Sequence, residues 1–158
     1  MKKVLFTLLI TVFAIKIVNA QIAQSVFFEI GGPGLASFNY DTRFTKKQDG
    51  LGMRAGIGGF KVDRTSVTAF PIGLNYLLGN NTTSFFEVGA NVTFVSSKQT
   101  SYSNNSSSTF TSTFGTLNFG YRSQPKANGF TFRAAINPII AEGELFPFYI
   151  GLSFGYKF

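Results

Sequence analysis

From Phe148 to Phe158 the chain alternates without a break. Phe148, Ile150, Leu152, Phe154, Tyr156 and Phe158 share one parity, and Tyr149, Gly151, Ser153, Gly155 and Lys157 share the other. Successive side chains of a β-strand point to opposite faces, so this segment has one apolar face and one mostly small or polar face. Its length is what a tilted strand needs to cross a bilayer. The same period of two recurs upstream. Turn signals divide the chain into eight predicted strands, at about 25–31, 35–44, 50–60, 66–77, 84–95, 110–122, 129–138 and 147–158. Gly32-Pro33-Gly34, Asp49-Gly50, Gly79-Asn80-Asn81 and Asn128-Gly129 supply the turn chemistry. The Ser/Asn-rich stretch from Ser96 to Ser108 reads as a mobile loop.

An internal repeat underlies the pattern. Even-numbered strands share Ser37-Phe38-Asn39-Tyr40, Gly73-Leu74-Asn75-Tyr76, Asn118-Phe119-Gly120-Tyr121 and Ser153-Phe154-Gly155-Tyr156. Odd-numbered strands share centres such as Phe28-Glu29-Ile30-Gly31 and Phe86-Glu87-Val88-Gly89. Up-strands resemble up-strands and down-strands resemble down-strands. This predicts an all-β fold, an eight-stranded antiparallel up-and-down barrel.

Parity decides which face points outward. The bulky apolar parity carries no charge in any strand. The opposite parity carries Glu29, Asp41, Arg43, Arg54, Glu87, Arg122, Arg133 and Lys157 among Gly, Asn, Ser and Thr. Small residues suit a narrow lumen, so the bulky face is the exterior. Such an exterior suits lipid, where a charge at mid-bilayer costs about 2–4 kcal/mol. A soluble lipocalin-like barrel would have the reverse arrangement. Phe27, Phe60, Phe85 and Tyr149 break the rule and are expected near strand ends. The parity switch between Phe114 and Leu117 predicts a bulge near Gly115 or an upper strand beyond the membrane, and Pro71 predicts another bulge.

Composition agrees with this reading. Hydrophobic residues make up 44%, and 20 Phe and 17 Gly accompany 6 Tyr and no Trp. Past the N-terminus no apolar run reaches the roughly 18 residues of a helical span. Residues 1–20 read as a cleaved signal peptide: Lys2 and Lys3, an apolar core from Val4 to Ile15, and Ala20 before the cut. The barrel domain is then 21–158. Lys2, Lys3 and Lys16 leave with the signal, which takes the net charge from +7 to +4. Export argues against nucleic acid as the partner of this basic chain and for lipid phosphates. The chain has no Cys, so it has neither a lipoprotein anchor nor disulfides.

The chain resembles the small eight-stranded outer-membrane barrels of Gram-negative bacteria, the OmpA/OmpX-like group. The resemblance spans 25–158. It implies location in the cell outer membrane with both termini periplasmic. Turns near 45–50, 78–83 and 123–128 then face the periplasm, and tips at 32–34, 61–65, 96–109 and 139–146 face outside. Phe154, Tyr156 and Phe158 look like the C-terminal signal read by the outer-membrane assembly machinery. The partners implied are that machinery, outer-membrane lipid with lipopolysaccharide, and an extracellular partner at loop 96–109. The chain is expected to be a monomer.

The candidate constellation is Glu29, Arg54, Glu87 and Arg133. These hold matching places on the up-strands and alternate in sign. They are expected to form a structural layer of lumen ion pairs, joined by Asp41, Arg43 and Arg122 at other levels. Unpaired charges in a narrow interior would be expensive, and eight strands leave room only for side chains. Tyr40, Tyr76, Tyr121 and Tyr156 are expected to form a periplasmic aromatic girdle. No catalytic, cofactor-binding or metal residues are expected. The chain lacks His and Cys, which removes the common ways of activating a nucleophile. Glu142 and Glu144 read as a solvated loop. The favoured function is a non-enzymatic barrel with a structural or surface-interaction role. The alternatives are a lipid-modifying enzyme and a soluble ligand-binding barrel.

Overall fold

The computed structural model describes residues 22–79, 83–100 and 107–158. The expected signal peptide and part of the 78–83 turn lie outside these residues. Among the described residues there are ten strands: β1 (Gln24–Gly31), β2 (Ala36–Arg43), β3 (Gly50–Val62), β4 (Thr65–Leu78), β5 (Ser84–Thr100), β6 (Ser107–Ser123), β7 (Gly129–Ile136), β8 (Ile139–Ala141), β9 (Glu144–Phe146) and β10 (Ile150–Lys157). Each strand from β1 to β6 pairs antiparallel with the next, β6 also pairs with β8, β8 with β9, β7 with β10, and β10 with β1. The result is a closed barrel of eight staves. The short β8 and β9 extend β7 and β10 past Pro138 and Pro147.

The two parities separate as physical chemistry requires. Phe38, Ile72, Leu74, Phe119, Leu152 and Phe154 stand exposed on the outer wall. Glu29, Asp41, Arg43, Arg54, Glu87, Arg122 and Arg133 are buried inside. A soluble fold would not show water this much contiguous apolar wall. Among the described residues no helix is long and apolar enough to cross a membrane, so any crossing falls to the strands.

The wall is uneven. β1, β2 and β10 have 8 residues each, whereas β3 has 13, β4 has 14, and β5 and β6 have 17 each. The barrel is therefore low at the β1–β2 hairpin, whereas the β3–β4 and β5–β6 hairpins and the hairpin that β8 and β9 extend rise above it. The β3–β4 hairpin closes on Asp63-Arg64, with Asp63 at φ 50°, a conformation Asp tolerates.

Several expectations are corrected. Residues 96–109 are mostly strand, not loop: Ser96 pairs with Thr111, and pairing continues to Thr100 with Ser107. Only the tip at 101–106 lies outside the described residues. Ser and Thr alternate along this segment and fit a pleated surface, a signal masked by its low complexity. There is no bulge at Gly115, because β5 and β6 keep one register from Ser84–Ser123 to Thr100–Ser107. The parity switch falls where the β6–β8 ladder ends, at Gly115 and Ile140, while the pairing with β5 continues to Ser107. There is none at Pro71 either. The β3–β4 register is the same on both sides, and the ladder merely skips the residues opposite Phe70 and Pro71. The one-residue slip lies at Pro147-Phe148-Tyr149, which face only Asn137 and Pro138 between the β7–β10 and β8–β9 ladders. The Asn137 amide closes this bulge by donating to the Tyr149 carbonyl at 2.6 Å.

The tip at 32–34 does not project outward. Gly32, Pro33 and Gly34 are buried, and Thr93 on the facing wall donates its hydroxyl to the Pro33 carbonyl at 2.8 Å. Gly31 and Gly32 carry φ of 74° and 70°, which lets the chain fold inward. A side chain at Gly34 would strike Ser37 and Pro71. The low side of the barrel thus bends its own turn into the mouth.

Candidate functional site in the barrel lumen

Side chains on the inward parity of all eight staves meet in the lumen. β2 contributes Asp41 and Arg43, two residues apart and hence on the same face. The Arg43 guanidinium donates to both carboxylate oxygens of Asp41, at 2.8 and 2.9 Å, and to the Gly50 carbonyl at 3.0 Å. β6 brings Arg122, which donates to Asp41 at 3.0 and 3.1 Å and to the Ser25 hydroxyl at 3.2 Å. β7 brings Arg133, whose Nη2 lies 3.2 Å from Asp41. Asp41 is therefore a hub for three guanidiniums. Asn75 of β4 donates to Asp41 at 2.5 Å and to Glu87 at 3.2 Å, and it also accepts from Arg43. Glu87 of β5 lies 3.6 Å from Arg133 and 3.8 Å from Arg122.

A second centre sits higher. Arg54 of β3 meets Glu29 of β1 at 2.5 Å and donates to Asn39 at 3.0 Å. Ser153 of β10 donates to Glu29 at 3.2 Å. Of the four residues singled out as an alternating layer, Glu29 thus pairs with Arg54 and Glu87 with Arg133. The ion pairs form two centres, not one level ring. Strand tilt explains the difference: equal sequence places on tilted strands lie at different heights.

Phe27 joins the centres. It is buried in the middle of the lumen rather than at a strand end. The Arg133 guanidinium carbon lies 3.9 Å from its ring centroid, and that of Arg54 lies 5.2 Å away. Both guanidiniums lie over the ring, whose quadrupole attracts them. Alternation identified Phe27 as an exception. The cross-strand register that brings it among the arginines could not be read from one strand alone. Phe85 is likewise buried, whereas Phe60 is exposed above the low wall.

Above these centres the lumen holds Asn91, Thr93, Thr116, Asn118 and Asn137, with the Pro33 turn over them. Asn118 donates to Asn137 at 2.8 Å. Below, Lys157 donates to the carbonyls of Pro125 and Lys126 at 2.8 and 2.9 Å. Among the described residues, no group of three or more His, Cys, Asp or Glu side chains converges as a metal site would require.

Tyr40, Tyr76, Tyr121 and Tyr156 each fall within three residues of a strand end on the side of the barrel that holds the chain terminus. Tyr40 and Tyr156 flank Val26 across two ladders. Tyr156 meets Phe130 edge-on, with ring centroids 6.0 Å apart. The Tyr121 hydroxyl lies 2.9 Å from that of Ser84. Phe154 and Tyr156 face outward, and the Phe158 amide is tied to the Gln24 carbonyl at 3.0 Å.

No protein-family model and no curated protein matches the chain. Solved structures do. The N-terminal β-barrel domain of Pseudomonas aeruginosa OprF superposes with a TM-score of 0.60 at 14% identity, over 87% of this chain and 96% of that one. Ail, the attachment invasion locus protein of Yersinia pestis, was solved in complex with the heparin analogue sucrose octasulfate. It gives 0.53 at 18% identity, over 87% and 94%. Neisserial surface protein A gives 0.50 at 15% identity, over 86% and 94%. At these identities the likeness is one of fold. The chain has the fold of the small eight-stranded outer-membrane β-barrels, the OmpA/OmpX-like group.

Proposed function

We propose that this protein is a non-enzymatic barrel of the outer membrane. It contributes to envelope structure and holds its tall hairpins outside the cell as a surface for interaction. The observation that carries the reading is the combination of an apolar outer wall with a lumen occupied by ion pairs and covered by an inturned turn. Such a lumen favours a stave-and-core scaffold over a pore. The absence of His and Cys from the sequence favours it over a hydrolase. Outer-membrane lipid and lipopolysaccharide surround the wall in this reading, and the assembly machinery recognises the β10 end with Phe158. The β5–β6 hairpin at 96–109 is the place for an extracellular partner, and the barrel acts as a monomer.

The test has two measurements. Extraction of the outer membrane should recover the protein as a heat-modifiable band, folded at low temperature and slower after boiling. Reconstituted into planar bilayers, the same material should show no large, stable channels. Recovery in the soluble periplasmic fraction would overturn the location, and steady conductance would overturn the closed lumen.

A further inference from the structure

The notch where the low wall meets the high wall opens a groove of about 480 Å³ on the barrel surface. β2 ends at Ala36, while β3 continues upward beyond its last β2 partner, Gly58. Phe28, Phe38, Ile57 and Phe60 line the groove, and Gly59 and Thr68 keep it open. Gly59 must stay small, because a side chain there would strike the Val67 carbonyl and its φ of 148° disfavours one. The groove thus runs from the outer wall at Phe28, Phe38 and Ile57 over the open upper edge of β3 to Phe60 on the inward parity.

Directly above it the chemistry changes sign. Lys61 pairs with Ser66, and Ser66 pairs in turn with Lys98. Alternation sets both lysines on the outer face, in line with Ile57 and Phe94. They stand two strands apart, about 10 Å between backbones at the usual strand spacing. Ser66 lies between them and also lines the groove. Both lysines are exposed, and neither forms an ion pair among the described residues. Asp63 in the turn is the acid of this tip, and the acidic pair Glu142 and Glu144 belongs to the β8–β9 tip. Positive charge and an apolar channel are therefore stacked in the order of a phosphorylated lipid's headgroup and chain.

We propose that this notch binds one anionic lipid of the outer leaflet that carries a phosphomonoester, with an acyl chain in the groove and the phosphate between Lys61 and Lys98. The proposal rests on the outer-membrane reading, because that places the β3–β4 tip at the outer surface. The folded barrel in detergent would be equilibrated with equimolar bisphosphorylated lipid A and phosphatidylcholine, and retained lipid counted by native mass spectrometry. Bisphosphorylated lipid A should be retained at least fivefold over phosphatidylcholine. The double variant Lys61→Gln/Lys98→Gln should bring the ratio close to one. Thr68→Trp, which fills the groove and leaves both lysines, should lower lipid A retention several-fold. Equal lipid A retention by either variant and the parent would overturn the proposal. So would displacement of the lipid by excess inorganic phosphate, which would indicate an ion site with no role for the chain. Heat-modifiable migration of every variant verifies the fold. A parent chain that fails to enter bilayers would overturn both this inference and the reading beneath it, whereas insertion without lipid preference overturns only the inference.

Discussion

Asp41 occupies the point at which three guanidiniums converge, those of Arg43, Arg122 and Arg133. Its carboxylate is fully buried, so their mutual repulsion is offset within protein rather than by water. Asp41→Ala should therefore lower stability by about 3–5 kcal/mol, the cost of leaving buried charge without its partner. Urea unfolding in detergent or lipid vesicles measures this. A loss under about 1 kcal/mol, the scale of an exposed pair, would contradict the hub. Glu29→Gln should cost less, since Arg54 keeps Asn39 as an acceptor. The identity of the inward charges was legible from alternation alone. The central place of Asp41 was not, because it depends on side chains from β2, β6 and β7, brought together by closure and tilt rather than by sequence spacing.

At the scale of elements, alternation located all eight staves, and errors arose where another signal competed with it. Ser/Asn content hid the upper halves of β5 and β6. Pro71 was expected to bulge, but a stave tolerates one lost ladder bond when its other ladder is intact, as the unbroken β4–β5 register shows. The actual slip at Pro147-Phe148-Tyr149 was hidden because the run beginning at Phe148 alternates smoothly. Three outcomes follow. Leu74→Arg, on the exposed outer face of β4, should cost about 2–4 kcal/mol in bilayers, and the penalty should shrink in detergent; equal penalties in both would argue against a lipid contact. Trypsin applied to intact cells should spare Lys98, whose backbone is paired on both sides with Ser66 and Thr109; rapid cleavage there would mean the hairpin does not hold its strands in the cell. Phe158→Ala should reduce outer-membrane abundance several-fold and change unfolding by no more than about 1 kcal/mol, since the ring is exposed. Normal abundance would remove the terminal aromatic from the assembly signal.

For the whole molecule, fold class was the most readable property, because one uncharged face repeated over eight strands has few other solutions. Function was far less readable, since the same barrel serves many roles and differs among them in tips and lumen. The uneven rim has a mechanical consequence. Backbone groups that face hydrocarbon must find hydrogen-bond partners within the protein. Among the described residues, β3 has no neighbour on its β2 side beyond Gly58, and β6 has none on its β7–β8 side beyond Gly115. The bulk hydrocarbon therefore has to stop near those heights. Eight tilted residues on β1 span roughly 20 Å along the barrel axis, short of the usual apolar band of about 25 Å. The tall side asks for no such limit. In the outer-membrane reading proposed above, a bilayer meeting this barrel would be pinched on one flank and relaxed on the other, a wedge in the plane of the membrane. Neighbouring barrels with short belts gain by gathering at the pinched flank, where the cost of thinning is shared.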